Sequence, residues 1–141
     1  MRRVDALFDR YGESHRHPTN KAIHWICVPL ITWCVIAFGW AWSPFAAYVI
    51  IALAVLFYLW LSPTIALGML AVAALTIYPM LLLGRYVLVV AVVVFVLAWI
   101  GQFIGHRIEG RKPSFLEDVK FLLVGPAWLL AAVYRRLGIP Y

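Results

Sequence analysis

Polar and apolar residues fall into long blocks along this chain, not into the short alternations of a water-soluble fold. The first 21 residues are mostly polar, with Val4, Leu7, Phe8 and Tyr11 recurring at helical spacing, which predicts an amphipathic lead-in helix. From Ala22 to Gly84 there is no Asp, Glu, Lys or Arg, and from Tyr86 to Gly105 again none, so Arg85 alone interrupts the apolar run. Helices without a charged face can pack only against lipid or against one another. Ser43-Pro44 and Ser62-Pro63 divide the run, each a serine cap followed by proline at the first helical position. Gly84-Arg85 divides it again. The breaks predict four transmembrane helices at about 23–40, 45–61, 64–83 and 86–105, with Pro79 kinking the third near its end. Spans of 17 to 20 residues reach about 26 to 30 Å, the thickness of the hydrocarbon layer. The fourth is rich in Val, but a lone strand cannot satisfy its backbone in lipid, so a helix is expected there too. Residues 119–134 are apolar again but short and broken by Gly125-Pro126, and read as an interfacial or re-entrant helix, with a fifth span as the alternative. The expected fold is therefore all-α: one polytopic helical membrane domain over residues 1–141, with about four transmembrane helices plus N-terminal and C-terminal interfacial helices.

Composition agrees, since charged residues make up 13% of the chain against roughly 25% in a soluble domain. The net charge of +6 would alone admit a nucleic-acid partner, but eleven of the twelve Lys and Arg residues lie towards the two chain ends, outside the apolar block. That is the positive-inside pattern, not a nucleic-acid footprint. It places both termini on the cytoplasmic side of a bacterial inner membrane, or of the endoplasmic reticulum in a eukaryote. Trp40, Trp42 and Tyr86 then mark one interface and Trp25 and Trp60 the other. The lead-in lacks the apolar core of a secretory signal, so no cleaved targeting segment is expected. Cys27 and Cys34 lie seven residues apart, about 10 Å along a helix, too far to pair, and are expected to pack in the core. Gly101 and Gly105 form a small-xxx-small pair that lets another helix approach. Nothing in the chain specifies an oligomeric state.

Candidate chemistry sits at the ends of the spans. His15, His17 and His24 precede or open the first span, and His106 follows the last. An even number of spans brings both places to one membrane face. Tyr11, Asn20, Gln102, Glu109, Arg16, Lys21, Arg107 and Arg111 lie around them. On a helix starting near Pro18, Asn20 and His24 share a face, as do Gln102 and His106 on the fourth span. Neutral imidazole is a common ligand for Zn, Cu, Fe or Ni, and the absence of a neighbouring Cys argues against a structural zinc site. Solvated histidines, a helix-gluing Gln102 and a purely topogenic Arg111-Lys112 are the alternatives that spacing leaves open.

Two polar strings, SHRHPTNKAIHWICVPL (Ser14 to Leu30) and QFIGHRIEGRKPSF (Gln102 to Phe115), resemble the fungal 2-hydroxy fatty acid dioxygenases that metabolise phytosphingosine to odd-numbered fatty acids, together with their bacterial homologues. The first signature corresponds to His15, Asn20, His24 and Pro29. The second corresponds to Gln102, Phe103, Gly105, His106, Glu109, Arg111-Lys112 and Pro113. His106 and Glu109 are three residues apart where the fungal form has four, and His17 stands where that form has Asn.

The resemblance implies an Fe(2+)-dependent oxygenase of fatty acid α-oxidation acting at the membrane. Its substrates would be a long-chain 2-hydroxy fatty acid and O2, with membrane lipid around it. His15, His24 and His106 are the implied metal ligands and catalytic residues; His17 inherits no ligand role from the resemblance, and Glu109 or His17 is a further candidate ligand only by its nearness in the chain. Tyr11, Asn20 and Gln102 are the expected orienting groups, and Arg16, Lys21, Arg107 or Arg111 would pair with the substrate carboxylate. The reaction R–CH(OH)–COOH + O2 → R–COOH + CO2 + H2O closes without an external reductant, in keeping with a chain that lacks a flavin or dinucleotide fingerprint. The competing readings are a non-enzymatic membrane protein that binds or senses a metal, and a zinc-dependent lipid hydrolase working through a metal-bound water. Transport is disfavoured, because the middles of the spans carry no ionisable residue.

Overall fold

The computed structural model describes residues 1–110 and 115–141. Among them the chain is all-helical: α1 (Arg3–Gly12), α2 (Pro18–Trp42), α3 (Pro44–Leu61), α4 (Pro63–Leu83), α5 (Val87–Glu109), α6 (Phe115–Lys120) and α7 (Val124–Leu137). The Ser-Pro pairs act as expected. Ser43 Oγ accepts from Ala46 N at 3.1 Å and Ser62 Oγ from Ile65 N at 3.3 Å, each with the following proline opening the helix. α2 starts five residues earlier than hydropathy alone marks, because His17 caps it and Pro18 supplies its first position.

Three stretches are long and apolar enough to cross a membrane: Pro18–Trp42, Pro44–Leu61 and Pro63–Glu109. The last spans 47 residues and holds both α4 and α5, the third and fourth expected spans. It reverses at Gly84, whose φ of +53° is a conformation that a side chain disfavours, followed by a single 3-10 turn over Gly84–Tyr86. Packing records the reversal. Ile65 and Ala66, at the start of α4, are buried with Val4, Phe8 and Tyr11 of α1 and Tyr58 of α3. Met80, near the end of α4, is buried at the opposite end with Ile36, Ala37, Ala47, Val87 and Ala91. From there α5 runs back along α2 until His106 stands beside His15. Its 23 residues extend about 34 Å, enough to cross the hydrocarbon layer.

The α2–α5 seam is the most extensive helix pair. Gly101 and Gly105 permit it: a Cβ on Gly101 would lie 2.6 Å from Cys27 Sγ, and one on Gly105 would collide with Asn20 Oδ1. Cys27 and Cys34 are free, buried thiols, and Cys34 Sγ donates to Ala91 O.

One expectation needs correcting. Residues 119–134 do not form one helix broken at Gly125-Pro126; the break lies at 121–123, between α6 and α7. Pro126 falls in the first turn of α7, where its missing N–H has no intrahelical partner to lose. The turn reaches inward, so that Leu123 O accepts from Tyr58 Oη at 2.8 Å, and α7 returns along α4 with Tyr134 Oη donating to Thr64 O. At the same end as the termini, Arg3 lies over the Trp60 ring and Arg136 over the Trp25 ring, 4.7 and 5.8 Å from the centroids.

Candidate metal centre

α2 and α5 bring the rings of His24 and His106 together edge to face, and the segment between α1 and α2 inserts His15 beside them. The three rings are buried, at 3%, 1% and 6% exposure for His15, His24 and His106. Centroids lie 4.2 Å apart for His15–His24, 5.2 Å for His24–His106 and 5.8 Å for His15–His106. One nitrogen from each lies within 4.8 Å of the others, so the cluster can hold a metal ion.

Hydrogen bonding sets the tautomers. His15 Nδ1 is 2.7 Å from Tyr11 O and His24 Nδ1 is 2.9 Å from Asn20 O. A carbonyl oxygen only accepts, so both Nδ1 atoms carry the proton and both Nε2 atoms carry the lone pair. Metal-binding histidines are oriented in this way by their second nitrogen. Tyr11 also stacks flat on His15, 4.1 Å between centroids and 11° between planes, with Trp128 of α7 against both rings. Neutral imidazoles without a thiolate among them suit iron or another borderline divalent ion, so the donor set fits the cofactor that the resemblance implies.

Glu109, the last residue of α5, lies beyond the apolar part of that helix. Its carboxylate accepts from Arg16 N at 2.9 Å, His17 N at 2.8 Å and Asn20 Nδ2 at 2.9 Å. Asn20 Nδ2 also donates to Ser14 O at 3.1 Å. Glu109 thereby clasps the segment that carries His15 onto the α2–α5 seam. Burial alone would raise its pKa; the hydrogen bonds from Asn20, His17 and Arg16 outweigh that and hold it below the ordinary glutamate value.

The remaining candidates are placed as follows. His17 is exposed and outside the cluster; its Nδ1 accepts from Thr19 N at 3.1 Å and caps α2. Arg16, Lys21 and Arg107 are exposed, each adjacent in sequence to a buried residue of the site, and Arg111 lies outside the described residues. Gln102, one turn from His106, is buried and lines a small cavity with Tyr11, Val28 and Gly125. Sequence reasoning missed Ser14, whose Oγ is 3.3 Å from His15 Nδ1, and Trp128. Ser14 opens the first polar string, whereas nothing marks Trp128 within its apolar segment.

These features define a small helical protein, apolar enough to be embedded in a membrane, with a buried three-histidine centre at one end of its bundle. The chain matches the 2-hydroxy-palmitic acid dioxygenase Mpo1-like family over residues 1–137 and belongs to that family. No curated protein and no solved structure matches it.

Proposed function

We propose that this chain is an Fe(II)-dependent dioxygenase that shortens a long-chain 2-hydroxy fatty acid by one carbon, releasing CO2. The observation that carries the reading is the buried set of three imidazoles, two of them fixed by Nδ1–H bonds to backbone carbonyls, in a chain of the dioxygenase family. The substrate supplies all four electrons that O2 takes up, so the overall reaction balances without a reductant. Bound iron would supply the site at which the 2-hydroxy acid is chelated and O2 is activated.

The chain's own residues do the rest. Tyr11 O and Asn20 O hold the rings of His15 and His24, so neither reorients when a ligand arrives. The near-complete burial of the three rings keeps bulk water out. Arg16, Lys21 and Arg107 give that end of the bundle the positive charge a carboxylate head group needs. The aliphatic tail contributes about 0.8 kcal/mol per buried methylene, binding energy that helps hold the head group at the centre.

The same reading gives four membrane crossings with both termini cytoplasmic, supported by eleven basic residues at the chain ends against Arg85 at the opposite turn. Single cysteines at Ser14 and Arg85 in a Cys-free background should label from opposite sides with an impermeant reagent; same-side labelling contradicts it. For the activity, iron-loaded protein in lipid should convert a 2-hydroxy fatty acid to the acid one carbon shorter in O2 without added 2-oxoglutarate. No shortened acid at any chain length would refute the dioxygenase and leave a metal-binding role.

A further inference from the structure

The histidine centre has an inner side. Beside it lies the small cavity lined by Tyr11, Val28, Trp99, Gln102, Leu122 and Gly125, which borders the centre through Tyr11, stacked on His15, and Gln102, one turn from His106. Among the described residues, Tyr11, Thr32, Trp99 and Gln102 bring polar groups to its wall, and the rest of the wall is apolar. Gln102 is only 6% exposed, and its Oε1 is buried without a hydrogen-bond partner. A buried amide oxygen left in that state is unfavourable unless something donates to it. A hydroxyl or carboxyl group brought to the histidines would stand within one helical turn of it.

Ile31, Trp99 and Leu122 line this cavity and also the lower end of a larger groove of about 430 Å³. That groove follows one face of α2, where Ile31, Val35, Phe38 and Trp42 recur at helical spacing, between Phe95 and Trp99 of α5 and Ile50 of α3. From Ile31 to Trp42 it extends about 16 Å, along the depth of the bilayer and away from the charged end. A second apolar groove of about 400 Å³, between α2, α4 and α7, shares only Thr32 and Pro126 with the small cavity.

We infer that the aliphatic tail of a long-chain 2-hydroxy acid lies in the α2–α3–α5 groove, leaving the histidine centre past Gln102, whose amide hydrogen-bonds the head group. The identity of the head group rests on the dioxygenase reading. The path of the tail rests on Ile31, Trp99 and Leu122, which line both the cavity and the groove, and on a groove lining that, among the described residues, holds no charged, hydroxyl or amide side chain.

The test uses wild-type protein in lipid nanodiscs and 2-hydroxyhexadecanoic acid carrying a diazirine at its terminal carbon. Photolysis should attach the probe between Phe38 and Trp42 or at Phe95, and unlabelled 2-hydroxyhexadecanoic acid should suppress the adducts. Adducts confined to Leu75–Pro79 in the second groove, or adducts that unlabelled acid does not reduce, overturn the inference. Val35→Trp, which fills the groove, should raise KM for the hexadecanoic homologue at least tenfold and move the preference to shorter chains. Leu75→Trp, in the second groove, should leave the preference unchanged, and an unchanged preference in Val35→Trp also overturns the inference. Gln102→Leu should keep its metal while KM rises about tenfold; an unchanged KM removes the amide from the site. Turnover by wild type without groove adducts would sink the groove and spare the dioxygenase. Competed groove adducts without turnover would do the reverse.

Discussion

The α2–α5 pair and α3 are all apolar enough to cross a membrane but do different work. In the most apolar window of α2, 44% of residues are buried inside the protein, whereas in α3 the share is 11%. α2 and α5 carry His24, His106, Asn20, Gln102 and the glycines that bring the two helices together, all buried or half-buried. α3 carries no polar side chain besides its two tyrosines, and Leu53, Leu56 and Leu59 face outward. In lipid, apolar surface alone gives helices no reason to associate, so tight pairing needs small residues and satisfied polar contacts. The difference teaches that hydropathy finds the spans, while small and polar residues at a seam find the site.

The contrast breaks most directly at Gly105. Elsewhere in a helix Gly→Ala stabilises by about 0.5–1 kcal/mol. Here the new methyl meets Asn20 Oδ1, with His24 Cε1 at 3.3 Å, and Asn20 cannot swing away without releasing Ser14 O and Glu109. Gly105→Ala should therefore destabilise, by about 1–3 kcal/mol as overpacking does, read as a lower melting temperature in detergent together with reduced metal content. A rise in melting temperature would mean that the seam is looser than described.

Glu109→Ala sharpens the contrast within the seam by testing the clasp apart from the ligands. It should weaken metal affinity about 10- to 100-fold, as the loss of a group that orients ligands does. Titration of metal-free protein with Fe(II) under anaerobic conditions reads this directly. Glu109→Gln keeps a carbonyl oxygen for one backbone N–H and should fall between Ala and wild type. On the lipid-facing side, Leu56→Ala should change stability by no more than about 0.5 kcal/mol, as an exposed position does. A larger loss would reveal a partner covering α3.

These two regions also show what could be read from the chain. The Ser43-Pro44 and Ser62-Pro63 breaks were legible because a cap and a first-turn proline act within four residues of themselves. The convergence of His24 and His106 was legible from the parity of the spans. The clasp was not: Glu109 binds the backbone N–H groups of Arg16 and His17, donors that every non-proline residue possesses, so no spacing marks it and Glu109 stood only as a further candidate ligand. The break at 121–123 was hidden because Phe121, Leu122 and Leu123 carry no turn residue, while Gly125 is needed for packing: a Cβ there would lie 2.9 Å from Tyr11 Oη. Gln102, expected as an orienting group, also lines a small cavity beside the cluster, which spacing along one helix does not reveal.

The central claim is that His15, His24 and His106 hold one metal ion while His17 only caps α2. It is tested by metal analysis of anaerobically purified protein beside melting curves in the same detergent, for wild type and each histidine-to-alanine variant. The account predicts about one iron per chain in wild type and in His17→Ala, and its loss from each of the other three, since ligands that act as a unit are not individually dispensable. Full iron occupancy in the His15, His24 and His106 variants, with nothing more than earlier melting, would contradict it and make the cluster a structural one.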